Sequence, residues 1–208
     1  MRITIINGSM TPKHYGNPIA EWIAEEVSAV NADDVETDVV HLCDLNLPFY
    51  DEPELPRLKN YEHEHSWRWS ERVDAADAFI FVSPEYNHSY SAVLKNALDY
   101  LYLEWNHKPA AIVSYGSGVS AGREGAQHLR SVLATLKMLP IQEGVSIPFV
   151  DQFTFTDRHG PNGVFMPDEP MVEAAQAMIR ELIRLRDFLS VFREASHSQR
   201  QMAEMSQL

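Results

Sequence analysis

The stretch AFIFVSPEYNHSYSAVLKNALDY, residues 78–100, decides the fold of this chain. Its first six residues are almost wholly apolar, which is typical of a strand that is covered on both faces in a parallel sheet. Pro84 ends that run, because proline has no N–H to donate and restricts the residue before it. A helix is predicted to begin near Ser91, so the stretch reads as a strand, a turn and a helix.

The same alternation runs through the whole chain. Strands are predicted at residues 2–7, 35–42, 78–83, 110–116 and 140–147. Helices are predicted from Asn17 and Pro18 to residue 30, and at 61–75, 91–103, 125–139 and 169–192. Five βαβ-type repeats favour an α/β fold of the flavodoxin-like kind, a three-layer sandwich whose parallel sheet has the order 2-1-3-4-5 with helices on both faces. We expect this domain to cover residues 1–192, followed by a polar C-terminal tail at 193–208.

Composition narrows the class of protein. The chain has 208 residues, of which 45% are hydrophobic, and this suits one packed domain. Its net charge of −13 argues against nucleic acid, whose phosphates need a basic patch. The sequence has no run of about 18 apolar residues, so we expect no membrane-spanning helix. The opening MRITIINGS predicts a strand rather than a signal peptide. The single cysteine, Cys43, excludes an internal disulfide and favours the cytoplasm.

Three loops follow the strands next to the predicted switch point, where doubly wound sheets bind their ligands. The first, NGSMTPKHYGNP at residues 7–18, has small and hydroxyl residues before a helix N-terminus, which suits an anion. It lacks both the G-x-G-x-x-G and the Walker A patterns, and taken alone it is equally compatible with an ordinary polar loop.

The other two loops suit a flat ring. The second, SPEYNHSY at residues 83–90, offers backbone groups and an aromatic side chain to a heterocycle, or else it is a structural turn with a surface tyrosine. The third, SYGSGVSAGREG at residues 114–125, has glycines that permit close backbone approach, or else it is a flexible connection.

Three segments carry a resemblance to a known family. They are SPEYNHSYSAVLKNALDYLYLEWNHKPAAIVSYG at 83–116, GSMTPKHYGNPIAEWI at 8–23 and DLNLPFYDE at 44–52. Together they resemble the NADPH-dependent FMN reductases, the flavodoxin-like group that includes azoreductases, quinone reductases and chromate reductases. The resemblance covers most of the chain, and its P-E-Y-N segment is far more specific than a lone glycine pattern.

The resemblance implies an FMN site built from the three loops. The residues that it assigns to the cofactor are Ser9, Thr11, Lys13, His14, Gly16 and Asn17 around the phosphate, Pro84, Glu85, Tyr86 and Asn87 along one edge of the ring, and Tyr115, Gly116 and Ser117 on its other side. Thr11 and His14 stand where the family has arginines, and threonine cannot replace a bidentate guanidinium. The phosphate is therefore held more weakly, or Lys13 and His14 compensate.

The resemblance also implies an activity. NADPH or NADH would reduce the bound FMN, which would pass electrons to a small acceptor such as a quinone, an azo compound or free flavin. We name no catalytic side chain, because the cofactor would carry out the redox step. We predict no metal site, because His63 and His65 are two apart on a predicted helix and would not share a face. The alternative is a non-catalytic flavin-binding or regulatory protein with a weakened phosphate loop.

The sequence also predicts that the chain assembles with copies of itself. The helices near Tyr61 and Ser91 carry an excess of aromatic and apolar residues, which are enriched at interfaces: Trp67, Trp69, Tyr100, Leu101, Tyr102 and Leu103. The resembling family builds its flavin pocket partly from a second subunit. We therefore expect a homodimer or homotetramer, with residues 104–106 near a subunit boundary.

Overall fold

The computed structural model describes residues 1–10, 15–30, 35–155 and 163–205 of the chain. Its central sheet has five parallel strands in the order β2-β1-β3-β4-β5, which confirms the predicted flavodoxin-like topology. The strands are β1 Arg2–Asn7, β2 Glu36–His41, β3 Ala78–Pro84, β4 Pro109–Tyr115 and β5 Leu139–Ile147. A small antiparallel pair, β6 Thr154–Phe155 and β7 Val164–Phe165, precedes the last helix.

The helices alternate with these strands. In the described residues they are α1 Gly16–Val30, α2 Leu42–Leu45, α3 Glu64–Asp74, α4 Ala92–Asp99, α5 Arg123–Thr135 and α6 Glu169–Met205, with short 3-10 segments at Pro56–Leu58, Leu103–Trp105 and Val150–Gln152. The sequence reading missed α2 and ended α6 too early, at residue 192. Helix α6 continues through a polar stretch because alanine, glutamate, glutamine and arginine are good helix formers even without an apolar face.

Two hydrophobic layers hold the sheet. On one face, Ile5 and Val82 of the strands pack with Ile23 of α1 and Ile179 of α6. On the other face, strand residues join side chains of α3, α4 and α5, among them Phe81, Trp69, Leu98 and Leu133. Strands β3 and β4 are buried along their whole length because both of their faces are covered in this way. None of the helices in the described part of the chain combines the length and apolar character needed to cross a bilayer.

The aromatic residues of the layer formed with α3, α4 and α5 were expected at a subunit interface, but most of them lie in the core. Trp69, Tyr100 and Leu101 are at most 2% exposed within a single chain. The 3-10 segment Leu103–Trp105 is equally internal, because Glu104 and Trp105 are buried rather than at a boundary. These residues therefore fill the core of one chain, so their aromatic and apolar character is explained without a subunit interface, whereas Trp67 is 40% exposed.

The positions of His63 and His65 also differ from the prediction that both lie on one helix. His63 precedes α3 with an extended backbone, so it is not on the helix with His65. Their rings stack with centroids 5.2 Å apart, and the Nε2 of His65 lies 3.0 Å from a carboxylate oxygen of Asp51. Within the described residues no three histidine, cysteine, aspartate or glutamate side chains are arranged to hold a metal ion.

Candidate functional site

The three loops meet at the carboxyl-terminal edge of the sheet. The backbone N–H of Gly8 donates to Val82 O at 2.9 Å, and the N–H of Glu85 donates to Tyr115 O at 3.3 Å. The Ser91 hydroxyl, at the start of α4, donates to Gly8 O at 2.5 Å. Since β1, β3 and β4 are adjacent and parallel, these bonds join the start of each loop to its neighbour.

Asn7 organises the first loop from its base. Its side chain is fully buried at the end of β1, and its Oδ1 accepts a hydrogen bond from Ser9 N at 3.0 Å. Its Nδ2 donates to Asn17 Oδ1 at 2.8 Å in the first turn of α1 and lies 3.1 Å from His41 Nδ1. The sequence reading missed this residue, although a polar side chain that ends an apolar strand is a signal for it.

Gly16 lets α1 begin directly against this base. A Cβ at this position would lie 2.4 Å from Asn7 Oδ1 and 2.8 Å from both Ser9 Cβ and the Tyr115 hydroxyl. No larger residue fits without displacing these atoms. The first N–H groups of a helix have no intrahelical partner and carry partial positive charge, so the start of α1 presents a positive end to the loops. Thr11, Lys13 and His14 lie outside the described residues.

Ser9 and Tyr115, both assigned to the cofactor from the sequence, form the floor of this region. Ser9 is 1% exposed and Tyr115 is 4% exposed. The Tyr115 hydroxyl makes a hydrogen bond with the Ser9 side chain, and burial raises the pKa of that hydroxyl above its ordinary value. Tyr115 therefore stays neutral and supports the first loop from the end of β4.

The second loop is a tight two-residue turn. The N–H of Tyr86 donates to Ser89 O at 2.7 Å, and the N–H of Ser89 donates back to Tyr86 O at 3.1 Å. Asn87 and His88 between them have φ values of 50° and 65°, as a type I′ turn requires. Pro84 is buried as the last residue of β3, whereas Tyr86 is 39% exposed and Asn87 is exposed. The ring of Tyr86 and the amide of Asn87 are thus the groups that this turn offers to a ligand.

Glu85 has a role that the sequence did not reveal. Its Oε2 accepts hydrogen bonds from the backbone N–H groups of Glu124 at 3.1 Å and Gly125 at 3.3 Å. Both donors belong to the first turn of α5, the helix that follows the third loop. The carboxylate of Glu85 therefore faces a helix end, and its backbone N–H is bonded to Tyr115 O.

The third loop is fixed at its base and exposed at its tip. The N–H of Gly116 donates to Ile147 O at 3.1 Å, and Gly116 O accepts from Val150 N at 3.2 Å, so the end of β5 holds the loop. Gly122 closes the loop with a φ of 74°, where a Cβ would lie 2.7 Å from Tyr115 O. Ser117 and the residues up to Ser120 between these points are exposed.

These groups fit a flat heterocycle with an anionic tail. The cradle beneath Gly16 is closed to any side chain and lies at the positive end of α1, which suits a phosphate. The exposed ring of Tyr86 and the exposed backbone near Ser117 suit the face and edge of a flavin ring. Residues of all three loops that the sequence singled out are brought to one edge of the sheet.

Comparison with known proteins agrees with this geometry. The profile of the family described as NADPH-dependent FMN reductase matches residues 1–152, which include all three loops. An NAD(P)H-dependent FMN reductase from Nectria sp. is 38% identical over 152 residues, covering 71% of this chain and 75% of that protein. An NADPH azoreductase from Bacillus sp. is 29% identical over 198 residues, covering 93% of this chain and 96% of that protein.

The fold is also shared with solved flavoenzymes. The NAD(P)H:(acceptor) oxidoreductase FerB from Paracoccus denitrificans superimposes with a TM-score of 0.68 at 19% identity, over 89% of this chain and 97% of that one. At that identity the match supports the fold alone, whereas the profile covers well over half of the sequence. The chain belongs to the NADPH-dependent FMN reductase family.

Proposed function

We propose that this chain is an FMN-dependent NAD(P)H oxidoreductase that passes electrons to a small acceptor. The observation that carries the proposal is the convergence, at one sheet edge, of the three loops that the family profile spans. The names of its relatives support the two halves of the reaction, since one is an NAD(P)H-dependent FMN reductase and another an NADPH azoreductase. A quinone, an azo compound or free flavin is the proposed class of acceptor.

The cofactor supplies the redox chemistry: bound FMN takes a hydride from NADPH or NADH and gives electrons to the acceptor. The chain binds and orients it. In our assignment Ser9, Gly16 and Asn17, with Thr11, Lys13 and His14, surround the phosphate at the start of α1. Pro84, Glu85, Tyr86 and Asn87 would hold one edge of the ring, and Tyr115, Gly116 and Ser117 would hold its other side.

No side chain of the chain is assigned a proton-transfer role. Two titratable groups at the base of the second and third loops are already engaged, Tyr115 with Ser9 and Glu85 with α5. A buried, hydrogen-bonded tyrosine with a raised pKa does not supply protons readily at neutral pH. We therefore assign proton exchange to solvent at the open face of the flavin.

We also propose that the chain forms a homodimer or a homotetramer in the cytoplasm. Large apolar side chains that do not belong to the three loops are exposed, namely Phe49, Leu55, Leu58 and Trp67. Exposed apolar groups of this size are enriched at subunit interfaces. Sedimentation at micromolar concentration tests this part, because a 23.7 kDa monomer that turns over NADPH would contradict it. The single Cys43 is what supports a reducing compartment.

Anaerobic mixing of FMN-loaded protein with NADPH, and separately with NADH, tests the activity. We expect the visible absorbance of the flavin to fall and then to return when a quinone or an azo dye is added. Two separate half-reactions of this kind predict ping-pong kinetics. Bound FMN that neither nucleotide reduces would contradict the enzyme and would favour the alternative, a non-catalytic flavin-binding or regulatory protein.

A further inference from the structure

Glu85 connects the second loop to the helix that follows the third. Its backbone N–H donates to Tyr115 O at the end of β4, and its carboxylate accepts from two N–H groups at the start of α5. The side chain is 12% exposed; its bond to Gly125 is partly buried, and its bond to Glu124 lies at the surface. A single residue thus holds both ends of the segment that forms the third loop.

Helix α5 depends on this carboxylate because its own N-cap residue has no side chain that could accept a hydrogen bond. The N-cap residue is Gly122, which has a left-handed backbone and no side chain to accept a hydrogen bond. The first N–H groups of a helix need acceptors, and a carboxylate there also interacts favourably with the positive end of the helix. Glu85 supplies from another loop the cap that the sequence of α5 lacks.

Three further contacts place the second loop directly on α5. His88 Nδ1 lies 2.6 Å from Glu124 Oε2, and His128 Nδ1 lies 3.4 Å from the Ser89 hydroxyl. A Cβ on Gly125 would lie 3.0 Å from the carbonyl carbon and oxygen of Ser89, so there is no room for a methyl group between the turn and the helix. The turn and the first turn of α5 are packed as one unit.

The contribution of Glu85 differs from that of the neighbouring ion pair. The side chains of His88 and Glu124 are 74% and 58% exposed, and exposed pairs of this kind contribute little. The Glu85 side chain is only 12% exposed, and its carboxylate accepts from two backbone donors. Hydrogen bonds to a charged acceptor are stronger than neutral ones.

We propose that Glu85 is a positioning residue for the flavin ring. Its carboxylate ties the Tyr86–Ser89 turn to α5, and it thereby sets the separation between the second and third loops. This inference rests on the proposed function, in which those loops contact opposite sides of the ring. The phosphate end at α1 is built from other residues, so loss of Glu85 alters the ring slot and leaves the phosphate cradle intact.

The experiment compares Glu85→Ala and Glu85→Gln with Glu124→Gln, which removes only the exposed ion pair. Affinities of each variant for FMN and for riboflavin are measured by flavin fluorescence, well below the melting temperature. We expect Glu85→Ala to weaken both ligands by the same factor, about tenfold. The flavin affinities of Glu85→Gln, which keeps a neutral acceptor, should lie between those of Glu85→Ala and wild type. The affinities of Glu124→Gln should equal those of wild type.

Hydrogen exchange on the apo protein provides a readout without flavin. In Glu85→Ala, peptides covering residues 86–89 and 117–125 should exchange faster together, whereas peptides from α1 keep the wild-type rate. If Glu85→Ala does not melt cooperatively, the exchange rates and flavin affinities of Glu85→Gln are compared with those of wild type instead. A wild type that binds no flavin would refute the proposed function, and the exchange data would still decide whether Glu85 ties the two loops. Unchanged exchange, or faster exchange with unchanged flavin affinity, would overturn the positioning role.

Discussion

Helices α1 and α5 begin at the same edge of the sheet, yet their first turns are built in opposite ways. The start of α5 carries Glu124 and is capped by the carboxylate of Glu85. The first turn of α1 has no acidic residue, and it packs through Gly16 against the neutral amide of Asn7. Both helix ends carry partial positive charge; that of α5 is offset by the Glu85 carboxylate, whereas the first turn of α1 contains no acidic residue of its own.

The difference teaches where an anionic group can bind. A helix end that already bonds a carboxylate repels a phosphate, whereas one that faces an amide attracts it. We therefore expect the phosphate of FMN to bind at α1 and the ring to bind between the loops that precede α4 and α5. The substitutions that follow either remove this difference or enlarge it.

Asn7→Asp gives α1 the kind of charge that α5 already has, and we expect the largest effect from it. A carboxylate beside the phosphate costs about 2 kcal/mol or more, which is about thirtyfold in affinity. Riboflavin, which has no phosphate, should lose far less. Asn7→Ala is the uncharged control: like aspartate it removes the Nδ2 donor, and it also removes the acceptor for Ser9 N that aspartate would keep. Equal losses for FMN and riboflavin in Asn7→Asp would place the phosphate elsewhere.

Gly16→Ala tests the close packing at the start of α1. The added methyl group would lie 2.4 Å from Asn7 Oδ1, so the helix or the loop must move. Such overpacking costs about 1–3 kcal/mol in the free energy of unfolding, which urea denaturation would measure. Gly118→Ala is the control, because a Cβ at Gly118 meets nothing within 4 Å. Similar stability of the two variants would show that α1 does not pack as described.

Thr11→Arg should strengthen the α1 end instead. The family has an arginine at this position, and a guanidinium–phosphate contact is worth roughly 1.5 kcal/mol or more. We expect FMN to bind about tenfold tighter, with riboflavin unchanged. Affinity for FMN that stays the same or falls would mean that Lys13 or His14 already fills this role.

The ion pair between Asp38 of β2 and Arg72 of α3 should have the smallest effect, and it serves as an electrostatic control because neither residue belongs to the three loops. Hydrogen bonds from Arg72 above all hold the pKa of Asp38 below its ordinary value, at Nε–Oδ2 and Nη2–Oδ1 distances of 2.9 and 2.6 Å. Because the folded-state pKa is depressed, this stabilisation is present at neutral pH and is lost as pH falls below about 4. Arg72→Met should reduce the acid dependence of the free energy of unfolding, by less than about 1 kcal/mol, and leave the FMN-to-riboflavin affinity ratio unchanged. A changed ratio would implicate this distant pair in the site.

Much of this site was predictable from short-range signals. The apolar runs fixed the strands, and the glycines and the P-E-Y-N turn marked the loops, because those features depend on neighbouring residues only. The cap from Glu85 to α5 spans 39 residues, and the bond from Asn7 to His41 spans 34. Contacts of this kind depend on how adjacent strands align, which no local pattern encodes.

Two other misreadings have the same origin. Apolar spacing cannot tell an aromatic residue in the core from one at an interface, so Trp69 and Tyr100 were taken for interface residues. His63 was placed on a helix that begins one residue later, and this separated two rings that in fact stack. Element boundaries decide such contacts, and they are the least certain part of a reading from sequence.

Titration of the purified apo protein with FMN and with riboflavin tests the central claim most directly. The account predicts roughly one FMN per chain, held between the three loops, with FMN binding at least about tenfold tighter than riboflavin because the start of α1 attracts the phosphate. Equal affinity for the two ligands would contradict the role given to α1. Failure to bind either would contradict the flavin site altogether.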